Sequence, residues 1–340
     1  MGRVVTFGEI MLKLSPTAYQ RLVQAHLFSV EYSGAEANVA VSLSNFGIPT
    51  SLVSAVPDNA LGEAAINALR QYGVDTTNII KNGERLGIYF AEKGASQRPS
   101  MVIYDRKNSA IASSSVNDFD WNIIFDGAEW FHLTGITPAL SDSLAAICLE
   151  ACRVAKGKGI IVSCDLNYRK KLWSREKARA VMTDICKYVD VCIANEEDAS
   201  YIFDINSEKS DINKGTINEQ SYTSVARQLQ HLFGFKYVAI TLRESISASD
   251  NNWSAILLHG QQVYYSPKYA IHIIDRIGGG DSFSAALIFS LLNDYETQYA
   301  LDFSVATSCL KQTIEGDFNH VSVSEVESLV SGNGTGRIQR

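Results

Sequence analysis

The run Asp275-Arg-Ile-Gly-Gly-Gly-Asp281, followed by the helical pattern Ser282–Asn293, gathers residue types suited to chemistry on a phosphate. Three consecutive glycines ahead of a helix let several backbone N–H groups converge on one point, and the helix dipole adds positive potential there. Asp281 falls in the first helical turn beside the same anion site. A phosphate would repel it, unless its task is to take a proton from an attacking hydroxyl. An acidic first-turn residue also serves simply as a charge partner of the dipole, and on spacing alone both readings stand. Other nucleotide fingerprints are missing. There is no GxxxxGK[ST], and Phe283 takes the place of the third glycine of GxGxxG. That removes the Walker-type NTPases and weakens a nicotinamide or flavin reading.

The elements that must position this turn alternate between strand and helix. Val4–Phe7 reads as a strand. A helix is expected over Glu36–Phe46, stopped by Gly47 and Pro49, then a strand at Ser51–Val56 and a helix at Leu61–Tyr72. The alternation resumes with a strand within Gly127–Thr134 and a helix at Ser141–Ala155. A strand at Gly159–Asp165, a helix at Arg175–Tyr188 and a strand at Val189–Ala194 follow. Then come helices at Glu196–Phe203 and Tyr222–Phe233 and a strand at Tyr237–Thr241. Such a pattern implies an α/β fold: a doubly wound, mostly parallel sheet flanked by helices. Residues 11–32 and the pair Gly87–Glu92 and Ser100–Tyr104 break it, and read as a small β-sheet lid inserted early in the chain. A hairpin is expected at Ser254–Leu258 and Val263–Ser266. The polar stretch Asn206–Gln220 reads as a surface loop. One domain over residues 1–330 is expected, with lid segments at about 11–33 and 86–113 and a disordered tail at 331–340.

The chain has 340 residues, 46% of them hydrophobic, with 30 Lys+Arg against 37 Asp+Glu and a formal charge of −7. An acidic balance argues against a nucleic-acid or anionic-membrane binder and, taken literally, against an anionic ligand. No apolar run approaches a membrane span, and the N-terminal stretch is too short for a signal peptide. The six cysteines form no CxxC pair and have no histidine at metal-ligand spacing. They read as reduced, mostly buried thiols of a cytoplasmic protein.

With these motifs in order, the sequence resembles the ribokinase-like (PfkB) carbohydrate kinases over residues 3 to 330. The turn Asp275–Asp281 matches their D-T-x-G-A-G-D signature, with Arg276 in place of the usual small residue. Ser33-Gly34-Ala35-Glu36-Ala37-Asn38 matches their Gly-Gly turn with its following Asn, with Ser33 for the first glycine. Asn195-Glu-Glu-Asp198 matches an Asn-x-x-Glu element, ending in the shorter Asp. The resemblance implies that Asp281 is the general base and that the backbone of Gly278, Gly279 and Gly280 is the anion hole for the migrating phosphoryl group. It also implies that Asn195 and Asp198 organise Mg²⁺ through water, and that Thr241 and Arg243 lie near the phosphates of ATP. Arg243 stands where the family has glycine. A monovalent cation is left open. Helix 298–313 and the turn at 315–317 are only general candidates for adenine contacts.

Gly34 and Asn38 are expected to face the acceptor, and Asn38 within a helical pattern needs a partner. Arg169 follows a strand's C-terminal end, where open α/β sheets bind ligands. Two arginines and two tyrosines from separate segments suit a carboxylate-bearing acceptor, although arginines after strands are commonly solvated and lid tyrosines commonly pack. Together the pattern is similar to the 2-keto-3-deoxygluconate kinases of the family, which implies Tyr89, Tyr104, Arg106, Asn167 and Arg169 in the acceptor pocket. Lys13, near the place of a sugar-binding Asp in ribokinases, is expected to suit an acid. The implied reaction is ATP-dependent phosphorylation of the C6 hydroxyl. Fructose, ribose or 5-keto-2-deoxygluconate is the alternative acceptor, and a non-catalytic sugar-acid sensor is the alternative of another class. The resemblance also implies a homodimer through the lid, or a higher oligomer.

Overall fold

The computed structural model describes residues 2–207 and 219–333. Most of the elements belong to one layered α/β unit. In chain order they are β1 (Arg3–Phe7), β2 (Met11–Pro16), β3 (Phe28–Ser33), α1 (Ala35–Asn45), β4 (Thr50–Val56), α2 (Ala60–Arg70), β5 (Ile79–Lys81), β6 (Gly87–Glu92) and β7 (Met101–Asp105). Next come α3 (Trp121–Ile124), β8 (Ala128–Thr134), α4 (Asp142–Gly157), β9 (Ile161–Asp165), α5 (Arg175–Cys186), β10 (Val191–Asn195), α6 (Asp198–Phe203) and α7 (Glu219–Phe233). The last are β11 (Tyr237–Ser245), β12 (Asp250–His259), β13 (Gln262–Tyr265), β14 (Tyr269–His272), α8 (Gly279–Leu292), α9 (Thr297–Lys311) and α10 (Val323–Val330).

The large sheet has the order β13-β12-β11-β10-β9-β8-β1-β4-β5, with β14 beside β12. Strands β11 to β5 along that order are parallel, and β12 turns antiparallel at the edge. Parallel strands need helical crossovers, so both faces are covered and the strands are apolar on both sides. One face packs on α4, α5 and α7 through Ile147, Met182 and Leu229, the other on α1, α8 and α9 through Leu43, Phe283 and Phe303. Helix α8 is buried along nearly its whole length, as its apolar sequence demands.

The expected alternation matches these elements to within a few residues. The hairpin after β11 is longer than its apolar pattern, because β12 runs on past Trp253 to pair with β14. Most of the expected loop 206–220 and residues 334–340 of the expected tail lie outside the described residues, while Glu219 and Gln220 open α7.

The second sheet has the order β3-β2-β6-β7, with β2 and β6 parallel and the outer pairs antiparallel. Its expected limit at residue 113 is too late. The chain leaves the sheet after Asp105, and Ala110 and Ile111 are buried in the main core with Phe7 and Phe131. Their apolarity is a signal of the body, not of the lid. One carboxylate fastens the small sheet down. Asp317, in the loop after α9, accepts from Lys13 Nζ at 2.5 Å, Ser33 Oγ at 2.6 Å and the Tyr89 hydroxyl.

Candidate active site

Two helix N-termini and the carboxyl ends of β1, β8, β9, β10 and β11 meet beneath the small sheet around a cleft of about 410 Å³. This is where an open α/β sheet binds its ligands. Gly278 caps α8 with φ of +84°, a conformation that favours glycine; a Cβ there would also meet the Asp317 carbonyl oxygen at 2.0 Å. Gly34 caps α1 so tightly against the chain that a Cβ would meet the Glu9 carbonyl oxygen at 1.8 Å. Asp281 sits in the first turn of α8, lines the cleft, and accepts a 2.6 Å hydrogen bond from Asn38 Nδ2. That is the partner Asn38 needed. Burial pushes the Asp281 carboxyl up to about 7; Asn38 and Arg169 pull it down, and Glu36 and Asp317 push it further up.

Except for Lys13, the acceptor, phosphate and metal residues singled out from the sequence line this cleft, Gly34 and Arg243 among them. Their hydrogen bonds, however, divide them into groups that are free and groups that are already spent. Tyr89 was expected to meet the acceptor through its hydroxyl. Its hydroxyl instead bonds Asp317 and Ser33 Oγ, so it offers the cleft only its ring. Arg106 was expected as a free guanidinium. It is buried and bonds Glu9 Oε2 through Nε at 2.8 Å and through Nη2. Lys13 does not suit an acid at all: it is 2% exposed outside the cleft, and Asp317, Glu31 and Asp275 neutralise it. Burial works to lower its pKa, but those three carboxylates win and raise it.

Arg169 is different. It is exposed, and its only hydrogen bond to protein among the described residues is to the Tyr168 carbonyl, at 3.1 Å. Tyr104 lies beside it on the exposed face of β7, its ring 5.8 Å from that of Tyr89. Asn167 takes φ of +39°, which asparagine tolerates, with Nδ2 3.4 Å from Asp165 and Oδ1 buried without a partner. This part of the cleft thus offers one free cation, a neutralised one and several polar groups.

At the other end, Asn195 and Asp198 bind one another's backbone. Asn195 Oδ1 accepts from the N–H of Glu197 and of Asp198, while Asp198 Oδ2 accepts from the N–H of Asn195, a reciprocal closure of the turn that leads into α6. Asp198 Oδ1 takes the N–H of Tyr168, and the side chain is 1% exposed. The Asn-x-x-Asp element therefore ties two loops of the cleft together. Thr241 is buried midway along β11, opposite Asn195 at the end of β10, with Oγ1 3.4 Å from the Ala194 carbonyl. Arg243 contacts the buried Glu196 at 3.3 Å and leaves its Nε unbonded. Arg276 was noticed only as a departure from a motif, yet it lines the same end, also with an unbonded Nε. Burial and the neighbouring Arg243 hold its pKa below the usual arginine range. Two under-bonded guanidiniums and the N–H groups of the glycine turn form a strongly anion-attracting end. Asp317, among the adenine candidates, lies buried beneath the small sheet rather than at an open face.

An anion-attracting turn, a carboxylate beside it and a polar pocket covered by a small sheet define a phosphotransferase acting on a small hydroxyl compound. The chain belongs to the pfkB family of carbohydrate kinases, whose model matches residues 1–320. It is 33% identical over 335 residues to the 2-dehydro-3-deoxygalactonokinase of Haloferax volcanii, covering 98% of each chain. It is 26% identical over 311 residues to the 5-dehydro-2-deoxygluconokinase of Clostridium perfringens, covering 90% of this chain and 86% of that one. Its fold matches the crystal structure of the 2-dehydro-3-deoxygluconokinase of Thermotoga maritima with a TM-score of 0.94 and 49% identity, over 98% of this chain and 100% of that one. The chain is a kinase with the ribokinase-like fold. Among the described residues, no helix is long and apolar enough to cross a membrane.

Proposed function

We propose that this kinase transfers the γ-phosphoryl group of ATP to the C6 hydroxyl of 2-keto-3-deoxygluconate. The observation that carries the reading is Arg169, which lines the same cleft as Asp281 and the glycine turn and has no carboxylate within salt-bridge distance among the described residues. A carboxylate on Arg169 leaves the far end of a short acid directed at Asp281. The names borne by the similar enzymes, all sugar-acid kinases, support the same substrate class. Asp281 takes the hydroxyl proton as the new O–P bond forms and the bond to the ADP oxygen breaks, so the proton ends on the carboxylate and ADP leaves. The N–H groups of Gly278, Gly279 and Gly280 stabilise the transferring charge, and Arg243, Arg276 and Thr241 approach the nucleotide phosphates. Asp198 would hold Mg²⁺ through water, and the ion would supply neutralisation of the phosphate charge. Within a kinase domain of residues 1–330, the small sheet acts as a lid over the cleft and keeps water, a competing acceptor, from ATP. Six thiols without disulfides support a cytoplasmic setting.

Release of ADP measured across 2-keto-3-deoxygluconate, its galactonate counterpart, 5-keto-2-deoxygluconate, fructose and ribose tests the assignment. Preference for a neutral sugar would overturn the acid reading, and no turnover of any would revive a sensor. The base also sets a pH profile. Asp281 must be ionised to accept the proton, so kcat/KM rises with pH through about 7 and falls away below it. Removing the Asn38 hydrogen bond, which favours the carboxylate, moves that limb upward in Asn38→Ala. A limb left in place separates Asn38 from the base.

The outer strands of the lid, β3 and β7, expose Phe28, Val30, Met101 and Ile103, whereas β2 and β6 between them are mostly buried. Exposed apolar edges suit pairing with a second copy, and the lid is read as the contact of a homodimer. Light scattering should give a dimer for the native chain and a folded monomer for Val30→Glu combined with Ile103→Glu. A native monomer would contradict it.

A further inference from the structure

Behind the glycine turn, main-chain carbonyls converge on a buried ammonium. Lys311 closes α9 and is 0% exposed. Its Nζ donates to the carbonyl oxygens of Asp275 at 3.4 Å, of Gly316 at 2.7 Å and of Ile277. Lysines in a last helical turn commonly meet carbonyls of their own helix. None of these three belongs to α9: two lead into α8, and one lies in the loop after α9. A neutral amine carries only two hydrogens and would leave one carbonyl without a donor, so three bonds require the ammonium. Burial draws the pKa of Lys311 down from the usual lysine range, and the nearby carboxylates of Asp275 and Asp317 oppose that.

The connection to the chemistry is the planarity of the peptide. The Ile277 carbonyl and the Gly278 N–H are opposite ends of one peptide group, so a cation on the oxygen polarises the N–H on the other side. A Cβ on Gly278 would sit 3.2 Å from Lys311 Cε, which shows how closely the side chain underlies the turn. We infer that Lys311 is a resident monovalent cation. Its ammonium fills the carbonyl cage behind Gly278–Gly280, holds the turn's N–H groups toward the transferring phosphoryl group, and leaves the kinase with no need of K⁺ or Na⁺. Lys311 touches the turn and not the substrate, so it is a positioning residue. The inference rests on the kinase reading above.

The native protein, assayed for ADP release in tetramethylammonium buffer, should give the same kcat with and without KCl or NH₄Cl. Lys311→Ala should lose about a hundredfold in kcat without K⁺, the scale of losing an oxyanion donor, with the acceptor KM little changed. Adding K⁺ or NH₄⁺, which fit the vacated cage, should restore about tenfold of that loss. A second readout needs no acceptor and so stands apart from the substrate assignment. The Tm of Lys311→Ala should rise with K⁺ or NH₄⁺ but not with tetramethylammonium, whereas the native Tm responds to neither in that selective way. Activation of the native enzyme by K⁺ overturns the inference, even if the variant does not fold. So does a folded Lys311→Ala whose rate and Tm both ignore the cation.

Discussion

Asp281→Asn should lower kcat on 2-keto-3-deoxygluconate by about a thousandfold while leaving acceptor and nucleotide binding near their native values. The substitution is nearly isosteric, and the new amide oxygen can still accept from Asn38 Nδ2, which bonds Asp281 at 2.6 Å in the native site. What disappears is the proton acceptor. Stability should move the other way. The folded-state pKa is raised from 3.8 to about 7, so the stability tied to this proton is full below the ordinary carboxylate range and is lost as pH rises through about 7. At pH 8 the native enzyme bears an ionised carboxylate in a site that disfavours it, and Asp281→Asn should melt at the same temperature or higher. A parallel measurement of kcat and Tm checks both halves. Near-native turnover would remove Asp281 from the base role, and a collapsed Tm would mark it as a structural residue.

Arg169→Ala should raise KM for the sugar acid by about tenfold to a hundredfold, the scale of a lost charged hydrogen bond, with kcat little altered. Arg169 has no carboxylate partner within salt-bridge distance among the described residues, so its charge remains available to an anion. KM for any neutral sugar the enzyme turns over should stay near native; an equal rise there would refute the carboxylate contact. Arg106→Ala is not the equivalent experiment. Arg106 and Glu9 are 8% and 3% exposed and are bonded to each other, so truncating the arginine strands a buried carboxylate. That should cost about 3–5 kcal/mol of stability and impair turnover of every substrate alike. The two arginines look interchangeable as residue types and differ because one is already paired.

The same distinction runs through the rest of the site. Helix and strand periods, the glycines before α8 and the order of motifs are local properties, and they are enough to place most of the singled-out residues in one cleft, Lys13 being the exception. Arg276 was visible only as an odd residue in a motif. The fold sets it beside Arg243 with its Nε unbonded, which is what makes it a candidate for the phosphates. The Asn195–Asp198 spacing has the three-residue separation that reciprocal side-chain-to-backbone bonds span, so the task of closing the turn before α6 is legible in the sequence.

By itself, then, the sequence determined the α/β architecture, the small inserted sheet, the glycine turn that opens α8 and most of the membership of the cleft. Only the tertiary structure decided which polar groups remain free to act. Lys13 meets Asp317 across 304 positions, Tyr89 meets Asp317 across 228, and Arg106 meets Glu9 across 97. Lys311 reaches back 36 positions to the Asp275 carbonyl. Buried charge and hydrogen-bonding groups must be satisfied wherever the chain brings a partner. Partners so far apart leave no trace in local spacing, and it is they that separate a ligand-binding side chain from a spent one.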